Sequence, residues 1–119
     1  MMIKAKRTQL LTMMTLLFSL SVPVMAAERE CTPLGDGPEI PDGAAATEAE
    51  LVTSQKAVKE YVAQGEFYIQ CLKATEVKLG EDITEDQQQR ILLAYDQTVE
   101  KMHQTSEAFN EAVRAFKAK

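Results

Sequence analysis

Residues 84–117 read TEDQQQRILLAYDQTVEKMHQTSEAFNEAVRAFK, and this stretch decides the fold. Leu92, Tyr95, Val99, Met102, Ser106, Phe109, Val113 and Phe116 step along it by three and four, with Ser106 the only polar member. Alternating steps of three and four average about 3.5 residues, the period of a helix packed along a left-handed coiled-coil seam. Thr84-Glu-Asp-Gln87 has the form of a capping box: the Thr84 hydroxyl is placed to accept from the Gln87 amide while the Gln87 side chain reaches back. The pattern predicts a helix over about 84–117.

A second helix is predicted upstream, over about 47–79. Thr47-Glu-Ala-Glu50 is another capping box, with its acids at the positive end of the helix dipole. Leu51, Val58, Gly65, Leu72 and Leu79 recur every seven residues, Val62 and Ile69 fill intermediate positions, and Tyr61 and Tyr68 flank them. Gly80 follows Lys78 as a terminating glycine. Each helix is about 50 Å long at about 1.5 Å per residue, and the short link through Ile83 makes them antiparallel neighbours. The expected fold is all-α, a long antiparallel helical hairpin over 47–119. Gly65 in the seam costs about 1 kcal/mol against Ala. It makes sense where Tyr95, Met102 or the preceding arm approaches closely.

That arm is residues 27–46. Pro33, Gly35, Gly37, Pro38, Pro41 and Gly43 fall within eleven residues. Gly-Asp-Gly-Pro and Pro-Asp-Gly are turn sequences, so no helix or central strand is expected there.

Residues 1–26 have the layout of a secretory signal peptide. Lys4, Lys6 and Arg7 precede the apolar run from Leu10 to Leu20, Pro23 breaks it, and Val24 and Ala26 are small residues ahead of cleavage after Ala26 or Ala27. The alternative is an uncleaved membrane anchor, since the uncharged stretch from Thr8 to Ala27 approaches the roughly 20 residues a span requires. A periplasmic location follows from cleavage, with membrane contact only through the signal peptide beforehand. All 18 acidic residues lie after it and three of the 13 basic ones within it. The exported chain therefore carries 18 acids against 10 bases, a net charge of −8 with His103 neutral. Such an acidic surface repels nucleic acid and anionic lipid.

Two cysteines remain, Cys31 in the arm and Cys71 in the first helix. In an exported protein an intramolecular disulfide is the default, with free thiols or an intermolecular bridge as the alternatives. Cys71 lies about 36 Å along the helix from its Thr47 cap. The 16 residues from Cys31 to Thr47 reach about 53 Å fully extended. A bridge would draw the arm back alongside the first helix, with Leu34 and Ile40 covering part of the hairpin.

The arm segments Cys31-Thr-Pro and Pro38-Glu-Ile-Pro-Asp-Gly43, followed by Gln55-Lys-Ala-Val-Lys59 and Tyr68-Ile-Gln-Cys71-Leu, resemble a group of small exported proteobacterial proteins. The similarity runs from the arm to the cysteine-bearing helix. It implies export and the cysteine pair, and carries no activity with it.

The sequence offers little for catalysis, and the expectation is a protein that is not an enzyme. Glu100-Lys-Met-His103 has the Glu-x-x-His spacing of carboxylate-bridged diiron bundles, but such sites need two copies and this chain has one histidine. There is no G-x-S-x-G and no Gly-rich phosphate loop. Glu81, Asp82, Glu85 and Asp86 surround a helix N-terminus, where the dipole accounts for them. No cofactor or metal is expected. Ile83-Thr-Glu-Asp-Gln87 looks like the Leu-Thr-x-x-Gln motif of periplasmic helical chaperones related to Spy, though this spacing is also that of a capping box. The expected function is a helical interaction or structural module of the cell envelope. The alternatives are a stress or chaperone-like helical protein and a metal- or small-ligand-binding bundle. A two-helix hairpin buries little core, so a homodimer or an envelope protein partner is expected to complete it.

Overall fold

The computed structural model describes residues 31–119, so the expected signal peptide and its expected cleavage positions at Ala26 and Ala27 lie outside the described residues. Helix α1 runs Glu48–Leu79, a 3-10 turn occupies Gly80–Asp82, and helix α2 runs Glu85–Lys117. The two helices pack against each other, and the described residues contain no strand.

Both helix starts follow from their capping boxes. The Glu50 amide donates to the Thr47 hydroxyl at 3.2 Å and the Thr47 amide to the Glu50 carboxylate at 2.8 Å. At α2 the Gln87 amide donates to the Thr84 hydroxyl at 3.1 Å and the Thr84 amide to the Gln87 side-chain carbonyl at 2.9 Å. Each box satisfies two donors that the first turn leaves without partners. Gly80 closes α1 with φ of 53°, a backbone conformation that strains any residue with a Cβ. Immediately before α1, Asp42 organises a turn: its carbonyl accepts from Ala45 and Ala46, and its carboxylate from Ala44.

Residues 31–42 have no regular secondary structure, and they lie along the hairpin. The Cys31 and Cys71 sulfurs are at disulfide distance, with Cα atoms 5.5 Å apart. Leu34 is buried, and Ala46 joins Leu51 and Ala112 in a core cluster against which Ile40, Phe109 and Phe116 pack. No large side chain among the described residues is completely buried. The core is thin.

The seam departs from the expected one in a regular way. On α1 the buried residues are Leu51, Ser54, Val58, Tyr61, Gly65, Tyr68 and Leu72, while Val62 and Ile69 are half-buried. On α2 Tyr95, Met102, Phe109, Val113 and Phe116 are half-buried, and the buried residues are Thr98 and Ala112. Leu92 and Val99, expected in the seam, are 54% and 42% exposed. The heptad period holds, but the helices are turned so that Thr98 and Ala112 are buried in place of Leu92 and Val99, while Thr105 and Ser106 are both half-buried. The arm is the reason. Its backbone lies directly against α2, and only small side chains leave room for it.

Candidate interaction surface

The arm fills one of the two grooves between the helices. Tyr61 donates its hydroxyl proton to the Gly35 carbonyl at 2.8 Å, and Lys101 donates to the Leu34 carbonyl at 3.1 Å. A Cβ on Gly37 would come within 2.6 Å of the Thr105 hydroxyl. A Cβ on Gly43 would lie 2.6 Å from the Ala112 carbonyl carbon and 2.9 Å from its Cα, so the two backbones are in direct contact. Lys119, just beyond α2, donates to the Ala46 carbonyl at 2.6 Å and lies over the Phe116 ring at 4.7 Å, joining this end of α2 to the end of the arm. Gly65 sits where α1, α2 and the arm meet. A Cβ there would be 2.7 Å from Met102 Cγ and 3.2 Å from a Leu34 methyl. Of the neighbours expected for Gly65, Met102 and the arm are the ones found.

Electrostatics on this side reflect the same packing. Burial raises the Tyr61 hydroxyl pKa above the ordinary tyrosine value, and the Asp36 carboxylate raises it further. A hydrogen bond with Thr105 pulls the other way. Along α2, Arg114 donates to Glu107 at 2.8 Å and holds that carboxyl below the usual range.

Among the described residues nothing covers the opposite groove in this way. Successive helical residues turn by about 100°. Tyr61, Gln64, Tyr68 and Cys71 therefore fall on one side of the Gly65 direction and Val62, Ile69 and Lys73 on the other. On α2, Thr98, Lys101, Thr105 and Ala112 fall on the arm side of Met102, and Leu92, Val99 and Ser106 on the other. A crevice near the hairpin turn is lined by Leu72, Lys73 and Glu76 of α1 with Ile91, Leu92 and Tyr95 of α2, which brings Lys73 and Leu92 onto one face. Leu92 and Val99, exposed, thus form an apolar strip along the face opposite the arm, with Val62, Ile69 and Val113 half-buried along it. Lys73 lies over the Tyr95 ring at 5.9 Å on its margin.

In sequence this strip and the packed seam share one heptad period. Ser54, Thr98, Thr105 and Ala112 are polar or small and give no hydrophobic signal of their own. Their own seven-residue spacing, Thr98, Thr105, Ala112, was the signal available, since small residues in register mark a line of close backbone approach.

The residues weighed for metal chemistry are not brought together. His103 is exposed, and Glu100 accepts a hydrogen bond from Gln104 at 2.8 Å. Among the described residues no three His, Cys, Asp or Glu side chains are grouped as metal ligands. Of the acids around the α2 N-terminus, Asp86 pairs with Arg90 at 2.9 Å. No helix among the described residues is long and apolar enough to cross a membrane. Comparison with protein-family models, with curated proteins and with solved structures finds no match to this chain.

Proposed function

We propose that this chain is a non-enzymatic, exported protein of the cell envelope that acts as a helical interaction module. A disulfide-tied arm closes one groove of its hairpin, and the other groove engages a protein. The observation that carries the reading is the asymmetry of the two grooves. The arm uses Leu34 and Ile40 to cover one, while Leu92 and Val99 stand exposed on the other in the same heptad register. Aligned apolar residues left in water along a helical pair are the anchor pattern of helix-in-groove recognition.

Export is supported by the basic, apolar and small-residue layout of residues 1–26 and by the two cysteines at disulfide distance, a pairing that persists in oxidising compartments. The test is site-specific photo-crosslinking in the exporting cell. A photoreactive side chain at Val99 should yield a discrete protein adduct, while one at Gln97, on the outer surface of α2, should not. Equal labelling from both positions, or none from Val99, would refute the interaction reading.

A further inference from the structure

We infer that the occupant of the open groove is a second copy of this chain, joined about a two-fold axis parallel to the helices to make a four-helix bundle. The inference rests on the interaction reading above and names its partner.

Three features point to it. The first is shape. The strip from Leu92 to Val113 spans about 31 Å at about 1.5 Å per residue. Its partner must be a straight rod with apolar residues at heptad spacing over that same length. The chain's own open face is such a rod, and a two-fold axis makes a face complementary to itself.

The second is area. The strip, about 31 Å long and about 20 Å wide for two helices packed side by side, presents about 600 Å² per copy. Specific interfaces bury about 600–1,000 Å² per partner, so the strip falls at the lower end of that range.

The third is charge, and it selects the axis. Gly65 lies against Met102 and Lys73 over Tyr95, which sets the level of each α1 residue against α2. Along the margin of the open face α1 carries Lys59, Glu66 and Lys73, while α2 carries Glu107, His103 and Asp96. Rotating a copy about an axis parallel to the helices places α1 of each over α2 of the other at the same level. Lys59 then meets Glu107, Glu66 meets His103 and Lys73 meets Asp96, each within about two residues, or 3 Å of rise. A two-fold across the helices would instead set Lys59 against Lys73 and Asp96 against Glu107. Like charges face each other in that arrangement, and it is disfavoured.

The experiment uses protein expressed from the full-length sequence, purified after export in its oxidised form. Light scattering over a tenfold concentration range should give twice the chain mass. Val99→Glu puts a charge into the strip at a site already exposed in the single chain. It should weaken association by at least about 100-fold while leaving the helical circular dichroism intact.

Lys73→Glu alone should weaken the dimer by about tenfold, and Lys73→Glu with Asp96→Lys should restore it. A dimer that the paired exchange fails to restore overturns the proposed axis, and one indifferent to Val99→Glu overturns the proposed face. A single-chain mass throughout overturns the second copy as occupant. If Val99 then still photo-crosslinks to a different protein, the interaction reading survives with another partner. If it crosslinks to nothing, both fall.

Discussion

Gly43→Ala is the sharpest test of how the arm seats on the hairpin. The added Cβ would sit 2.6 Å from the Ala112 carbonyl carbon and 2.9 Å from its Cα, both backbone atoms of a helix that cannot move aside. The Ala112 carbonyl oxygen lies nearer still, and since carbon atoms prefer separations of about 3.5–4.0 Å the arm must lift by more than about 1 Å. A gap of about 0.5–1 Å forfeits a quarter to a half of each dispersion contact it opens. The contacts affected are those of Ala46 and Ile40 with Phe109, Phe116 and Leu51. Overpacking of this kind costs about 1–3 kcal/mol, a large part of the margin of so small a domain.

Two other glycines serve as internal controls. At Gly65 the clash is with the flexible Met102 side chain, and a gain of about 1 kcal/mol in helix propensity offsets it. At Gly35 nothing lies within 4 Å of the added Cβ. Urea denaturation followed by circular dichroism should rank the losses Gly43→Ala, then Gly65→Ala, then Gly35→Ala, with the last within about 0.5 kcal/mol of wild type. A Gly43→Ala protein as stable as the parent would refute the direct backbone contact.

Cys31→Ser opens a tie across 40 residues of sequence and should lower stability by about 4 kcal/mol on the loop-entropy estimate. Limited proteolysis should then cut within 31–46, and unchanged protection there would show that the cysteines do not hold the arm. Ser54 is 6% exposed and its hydroxyl has no hydrogen-bond partner. Ser54→Ala should therefore leave the denaturation midpoint unchanged or raise it, because it removes an unsatisfied buried group; a clear loss would mean the hydroxyl is bonded. Tyr61 has a folded-state pKa raised by burial and by Asp36, so its contribution to stability is complete below the ordinary tyrosine pKa and lost as pH rises through the folded value. Tyr61→Phe should abolish the alkaline part of the pH–stability profile and cost about 1 kcal/mol near neutrality, through the lost bond to Gly35. An identical alkaline fall in the variant would assign it to another group.

The helices and their ends are legible in the order of residues alone. Thr47 with Glu50, Thr84 with Gln87, and Gly80 mark helix boundaries through bonds formed within one turn, and such local chemistry does not depend on what packs where. The heptad spacing of Leu51, Val58, Gly65 and Leu72 likewise announced one helix face turned to a neighbour. What spacing cannot express is which side of a heptad stripe wins the interior. Leu92 and Val99 carry more apolar surface than Thr98 and Ala112, and on hydrophobicity alone they belong inside. The tertiary structure puts them in water because the arm backbone must come within contact distance of α2, and Gly43 can approach only where the facing residue is as small as Ala112. Close approach between segments more than 60 residues apart is a property of the folded chain, so the open groove on the far side became visible only once the arm was in place.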